Sequence, residues 1–420
     1  MIERRKKLLG PGYRLFYDDP VHLVRGEGVW LYDKAGNAYL DAYNNVPSVG
    51  HCQPDVVRAL ANQAAVLNTH TRYLSSEILD YAERLLATLP PEIERIMLTC
   101  TGSEANDLAC RIARATTGGT GFIVTDYAYH GTTLAIAELS PSLGSRVDLA
   151  DTTRTVRAPD IYRSGAADIT ERLADDVRAA VADLRAHGIK PAAFLVDTLL
   201  SSDGILPEPE GFLAPAVAAI RESGGLFIAD EVQAGFGRTG AGMWGFARHG
   251  ITPDIVTMGK PMGNGHPVAG IAARAELVEA FGNRVRYFNT FGGNPVSCAV
   301  GLAVLDVLER DKLVSRARDV GTYLLSRLQD LRELYEIVGD VRGAGLFVGV
   351  ELVRDRATKD PAPDETARVV NGLRARRVLI SSTGPRGNVL KIRPPLVFSK
   401  ENADLLVDAL AQVLTEVAPP

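Results

Sequence analysis

Three short stretches place reactive side chains just after apolar runs. Thr101-Gly102-Ser103-Glu104 follows Ile96-Met97-Leu98-Thr99, Asp230 follows Leu226-Phe227-Ile228-Ala229, and Lys260 comes shortly after Ile255-Val256-Thr257-Met258. In a doubly wound sheet, ligands sit at the carboxyl ends of the strands, so each position is a candidate site. A glycine and a hydroxyl at a helix start present free backbone N–H groups and the positive dipole end, which suits a phosphate. The same residues also read as a plain helix cap with Glu104 in the first turn. Asp230, ending a buried strand, needs a cationic or donor partner, which a structural ion pair would equally supply. Lys260, beside glycine, can lose its charge on burial and become a carbonyl-trapping amine, or it can stay a solvated surface lysine.

Other motifs narrow the choice. The lysine of a P-loop is absent after Gly102. Gly235-Phe236-Gly237-Arg238-Thr239-Gly240 is a literal G-x-G-x-x-G, with Asp254 further on. Its context is wrong for a dinucleotide: the preceding strand ends early, no helix opens at it, and Asp254 precedes a strand. A phosphate cup, a buried carboxylate, a strand-end lysine and Tyr129-His130-Gly131 after a strand are together what pyridoxal 5'-phosphate needs. The phosphate goes to the helix start, the ring nitrogen to the carboxylate, the aldehyde to the lysine and an aromatic side chain to the ring face.

The elements that must position these groups follow a βα rhythm. Short apolar runs at 96–99, 122–124, 193–196, 226–229 and 255–258 alternate with helical spacing, including a helix over 105–115. Such runs imply parallel strands buried on both faces. Before them, Trp30 to Asp41 reads as two strands around an Asp-Lys-Ala-Gly turn, and 54–67 and 77–86 as helices. Helices are expected from Asn294 to about Glu309 and over 312–332. Then come strands at 346–353, 378–381 and 389–392 and a last helix from Lys400. The expected fold class is α/β. Residues 61–310 form a large domain with a mostly parallel sheet flanked by helices. Residues 311–420 form a smaller α+β domain, with 1–60 packing beside it.

The composition agrees with an enzyme of this kind. The chain has 420 residues, 46% of them hydrophobic, enough to build a large core. Lys and Arg number 46 against 51 Asp and Glu, a net charge of −5 that offers no attraction to nucleic acid or membrane surfaces. No apolar run approaches the ~20 residues of a membrane span, and Met1 to Lys7 leads into Gly10-Pro11-Gly12 and not into a leader-like stretch. Cys52, Cys100, Cys110 and Cys298 lack metal-ligand spacing and read as reduced, buried thiols of a cytoplasmic protein.

Gly102-Ser103-Glu104-Ala105-Asn106-Asp107, Tyr129-His130-Gly131, Asp230 to Arg238, and Thr290-Phe291-Gly292-Gly293-Asn294-Pro295 carry a specific likeness. From end to end the chain resembles the class III, fold-type I pyridoxal-phosphate enzymes. The resemblance implies cofactor contacts from Gly102, Ser103, Tyr129, His130, Asp230, Gln233 and Lys260. Among these, Asp230 pairs with the ring nitrogen, Gln233 lies near the ring hydroxyl and Lys260 forms the Schiff base. It also implies that Thr290 reaches the phosphate of a neighbouring subunit, which makes the active unit a homodimer with shared sites.

Most of that family are aminotransferases, but two departures point elsewhere. Members that use 2-oxoglutarate carry E-P-x-x-G-E-x-G, whose second glutamate switches an arginine between free and paired states. Here the segment is Asp197-Thr198-Leu199-Leu200-Ser201-Ser202-Asp203-Gly204, with Ser202 at the glutamate's place, and Lys391 stands at the arginine's. A lysine cannot make the bidentate fork. The same departures, with Asn44-Asn45-Val46, Met258 to Val268, Tyr287 to Thr290, and Gly384-Pro385, resemble the ethanolamine-phosphate and 5-phosphohydroxy-lysine phospho-lyases. That branch implies aldimine formation, proton abstraction by the freed Lys260 and β-elimination of phosphate. O-phosphoethanolamine would then give acetaldehyde, ammonia and phosphate. Arg72, Lys391 and Arg393 are the candidates to bind the substrate phosphate, each of them also readable as a structural cation. The alternatives are 5-phosphohydroxy-lysine as substrate, an ω-aminotransferase, or an inactive scaffold, which any turnover would exclude.

Overall fold

The computed structural model describes residues 1–144 and 147–418. A helix, Ile2–Leu9, is followed by strands β1 (Leu23–Glu27), β2 (Trp30–Asp33) and β3 (Ala38–Asp41). The expected turn between β2 and β3 is held by Asp33, whose Oδ1 accepts from the N–H groups of Ala35 and Asn37, both at 2.9 Å.

Seven strands build the central sheet: β4 (Arg95–Thr99), β5 (Gly121–Thr125), β6 (Thr153–Val156), β7 (Pro191–Asp197), β8 (Leu226–Asp230), β9 (Ile255–Met258) and β10 (Ala269–Ala273). Their order is β4-β10-β9-β8-β7-β5-β6. Pairings among β5 to β9 are parallel, and every residue of β5, β7 and β9 is buried, as expected for strands covered on both faces. β4 runs in the direction of the parallel strands, as expected, but it does not pair with them directly. β10 lies between β9 and β4 and is antiparallel to both. Its sequence, Ala-Gly-Ile-Ala-Ala, has little β-propensity and escapes sequence reading. Tight pairing explains the small residues, since a Cβ on Gly270 would come within 2.7 Å of the Met97 carbonyl oxygen. One reversed strand leaves β4 pointing the same way as β8 and β9, so all three end at one edge of the sheet.

The last strands are β11 (Val338–Ala344), β12 (Phe347–Asp355), β13 (Asp360–Pro361), β14 (Val378–Leu379), β15 (Ser381–Thr383) and β16 (Val389–Ile392). They form the sheet β11-β12-β16-β15 with β13 on β12, while β14 pairs in parallel with β3 and so joins the two ends of the chain. The terminal helix Lys400–Val417 starts at a capping box between Ser399 and Asn402. No helix among the described residues is long and apolar enough to cross a membrane. The four cysteines are unbridged, but they are not uniformly buried. Cys110 and Cys298 are buried, Cys100 is half-buried, and Cys52 is exposed on a turn with φ 51°.

Candidate active site

The carboxyl ends of β4, β8 and β9 open into a cavity of about 280 Å³. Gly102, Ser103, Tyr129, His130, Asp230, Gln233 and Lys260 all line it. Sheet register makes this convergence necessary: Asp197, Asp230 and Thr257 are aligned across β7, β8 and β9, and Lys260 begins the turn that follows.

At one end, the helix Gly102–Thr117 starts earlier than the sequence spacing predicts. Thr101 Oγ1 accepts from the Glu104 N–H at 3.1 Å, and the Glu104 carboxylate accepts from Thr101 N–H at 3.0 Å. This box puts Gly102 and Ser103 in the first turn, where backbone N–H groups have no partner within the helix. The Tyr129 loop closes over that turn. A Cβ on Gly131 (φ 143°) would sit 2.5 Å from Ser103 Oγ, so only glycine allows the approach, and Ser103 Oγ accepts from Thr132 N–H at 3.1 Å. On the other side of the cradle, a Cβ on Gly102 would press on the Val232 side chain at 3.0 Å.

At the other end stands Asp230. Its Oδ2 accepts from His130 Nδ1 at 2.7 Å and Asn106 Nδ2 at 2.9 Å, and its Oδ1 accepts from Val232 N–H at 3.1 Å. Burial pushes the carboxyl up, yet the His130 contact, the Val232 N–H and Asn106 outweigh it and hold the group below its usual range. Neighbouring Asp197 is pushed the other way by burial and by the charge on Asp230, although Leu199 N–H, Ser201 N–H and Ser201 Oγ donate to it. Between the two ends lies Lys260. Burial, then the Arg393 charge, lowers its ammonium to about 8, with Asp230 and Asp197 opposing.

The remaining sequence candidates fall outside the cavity wall. Lys391 is buried on β16, and its Nζ donates to the Ser201 carbonyl at 3.2 Å. Desolvation, with Arg393 beside it, holds its ammonium well below the usual lysine range. Arg393 donates to Asn45 Oδ1 at 2.8 Å and to Gln233 Oε1, and its guanidinium lies 4.5 Å from the Tyr43 ring centre. Gln233 in turn donates to Ser201 Oγ. Arg393 therefore reaches the cavity through Gln233. Arg72 is exposed, with its guanidinium 3.9 Å over the Phe288 ring, and Thr290 is exposed nearby in sequence.

Asn106, Thr257, Asn45 and Asp197 belong to the site and were given no role from sequence. Asn106 carried a usable signal, because it follows Ser103 by one helical turn and shares its face. The Gly235–Gly240 loop is no dinucleotide site: Arg238 is buried and donates to the carbonyls of Leu346 and Pro394. A group with a phosphate, an aldehyde and a basic ring nitrogen, the chemistry of pyridoxal phosphate, matches this cavity. The cradle offers helix-start N–H groups suited to the first, Lys260 an amine suited to the second and Asp230 a carboxylate suited to the third.

Comparison with known proteins agrees. Residues 17–414 match the family described as Aminotransferase class-III. A phospholyase from Arthrobacter, solved in complex with phosphoethanolamine, is 46% identical, with a TM-score of 0.96 and 99% of each chain covered. The ethanolamine-phosphate phospho-lyase homolog 1 of Caenorhabditis elegans is 39% identical over 99% of this chain and 93% of its own. An alanine–glyoxylate aminotransferase 2-like protein of Drosophila melanogaster is 41% identical, over 99% of this chain and 87% of its own.

Proposed function

The chain belongs to the class III aminotransferase family, and within it we propose that it is a phospho-lyase acting on O-phosphoethanolamine. Its cofactor is pyridoxal phosphate. When bound, that group supplies an aldehyde that condenses with amines and a ring that takes up an electron pair.

The protein's own residues do the rest. Gly102 and Ser103 would hold the cofactor phosphate, with Tyr129 and Gln233 from the same cavity wall available to its ring. Asp230, held as a carboxylate, would keep a proton on the ring nitrogen and so favour withdrawal of electrons from the substrate carbon. Lys260, with an amine basicity brought near neutrality, accepts the proton from the carbon bearing nitrogen. The bond from the adjacent carbon to phosphate oxygen then breaks, and hydrolysis yields acetaldehyde and ammonia. Arg393 and Arg72 provide the charge for the departing phosphate, and Lys391, whose own charge burial disfavours, adds a hydrogen-bond donor.

One observation carries the lyase reading: Lys391 Nζ rests on the Ser201 carbonyl, beside Ser202. Family members that use 2-oxoglutarate pair an arginine with a glutamate at these two places. Here neither partner of that gate is present, so a keto-acid carboxylate has no fork to grip it. The protein with O-phosphoethanolamine and no keto acid should therefore release phosphate, ammonia and acetaldehyde in equal amounts over many turnovers. Transamination, the second reading, is favoured by the name of the Drosophila relative. It requires a stop after one turnover and a restart with pyruvate or 2-oxoglutarate, without phosphate release.

The active unit in this reading is a homodimer. Thr290 and Arg72 lie outside this chain's own cavity, and around them Tyr73 (67% exposed), Leu74 (103%) and Phe291 (69%) leave apolar surface uncovered. Thr290 would complete the phosphate site of the second copy. Mixing Lys260→Ala with Thr290→Ala protein should then give hybrid dimers in which one site carries both lesions and the other none. Activity is expected to reappear on mixing, and full activity in a monomer would refute the shared site.

A further inference from the structure

Asn106 is 1% exposed and makes three hydrogen bonds in the sheet-edge cluster. Its Nδ2 donates to the His130 carbonyl at 2.7 Å and to Asp230 Oδ2 at 2.9 Å, while its Oδ1 accepts from Thr257 Oγ1 at 2.6 Å. The direction of this amide is forced. Turned over, its oxygen would face a carbonyl and a carboxylate, neither of which has a proton to give. The Thr257 hydroxyl must then be the donor to Asn106, so its proton is not available to Asp230 Oδ1, 3.5 Å away.

We propose that Asn106 is a positioning residue that fixes Asp230 as a carboxylate aimed into the cavity, with Thr257 orienting it. Asn106 and His130 together occupy Asp230 Oδ2 and leave Oδ1 with one backbone N–H, on a side chain that lines the cavity. The helix Gly102–Thr117 then acts as a ruler. Ser103 at its start marks the phosphate end, and Asn106, one turn on, sets the carboxylate at the ring-nitrogen end. The inference rests on the assignment of Asp230 to the ring nitrogen.

The test follows the protonation of that nitrogen by 15N resonance in enzyme loaded with ring-labelled cofactor, alongside pH profiles of kcat. Asn106→Leu keeps the volume and removes the donor. The resonance should move toward the unprotonated form and kcat fall roughly 10- to 100-fold, the value of a hydrogen bond to a charged group. Asn106→Asp can donate to Asp230 only while its new carboxyl is protonated. Protonated signal and turnover should thus recover as pH falls, a limb absent from the unmodified enzyme. The titratable groups facing this position are Asp230 and His130 in contact, with Lys260 and Asp197 beyond them. A purely structural role would lower both variants with no acid limb. Thr257→Val should give a smaller shift in the same direction and serves if an Asn106 variant fails to fold. Unchanged resonances in the Asn106 variants, or in Thr257→Val where it stands in for them, overturn the role of Asn106. If Asp230→Asn also leaves the resonance unmoved, the assignment of Asp230 fails first.

Discussion

Lys260→Ala is expected to yield a folded protein that holds pyridoxal phosphate by contacts alone and turns over no substrate. Removing one half-buried side chain leaves the sheet edge, the Gly102–Ser103 cradle and the Asp230 cluster in place, so cofactor should still bind, more weakly. What disappears is the amine that burial and Arg393 bring to about 8. At that value roughly a tenth of the amine is free at pH 7, against less than a thousandth for an ordinary lysine. The unmodified apoprotein should accordingly form its covalent link faster as pH rises through about 8, and level off above it. Borohydride reduction followed by peptide mass analysis checks both claims. Lys391 makes the analysis informative, because it is a second buried lysine with its charge disfavoured. A reduced cofactor on Lys391 in the variant would show that the cavity admits either amine, and a link at Lys391 in the unmodified protein would remove the assignment of Lys260.

The strand-end rule made Gly102, Ser103, Asp230 and Lys260 readable because β4, β8 and β9 all end at one edge. What it did not show is β10, through whose two antiparallel pairings β4 keeps its parallel direction. Four small residues and one isoleucine gave no sign of that strand, since its stability comes from neighbours far away in sequence. A strand at β14 is expected over 378–381, and what stayed illegible there was its partner, since its two residues pair with β3 from the other end of the chain. Within the site, contacts at long separation were the illegible part. Arg393 meets Asn45 and Gln233 across 348 and 160 residues, and no spacing rule predicts such a meeting. The altered gate was legible as two odd residues at family positions, and Lys391 and the Ser201–Ser202 turn do come together. Cys52 failed because a thiol was assumed to seek the core, whereas its left-handed turn holds it at the surface.

Asp230→Asn should retain cofactor and lose more than 100-fold in kcat, a cost of about 3 kcal/mol or more in the transition state. The phosphate cradle and Lys260 are untouched, so the covalent link should still form and reduce normally. The substitution changes what faces the ring nitrogen. His130 Nδ1 and Asn106 Nδ2 both point donors at Oδ2, so the new amide must place its oxygen there. Its NH2 then takes the place of Oδ1, beside the Val232 N–H, and gives a protonated nitrogen no anion to pair with, which favours the neutral ring. The folded environment already holds the native carboxyl below its usual range. In the unmodified enzyme the charge on Asp230 therefore persists above the unfolded value near pH 4 and is lost only as pH falls through the depressed folded value. Any acid limb in turnover above pH 5 must come from another group, and it should survive in Asp230→Asn beneath the general loss. Near-native rates in that variant would mean that the ring nitrogen needs no anion here, and that the buried carboxylate serves only to tie His130 and Asn106 to the end of β8.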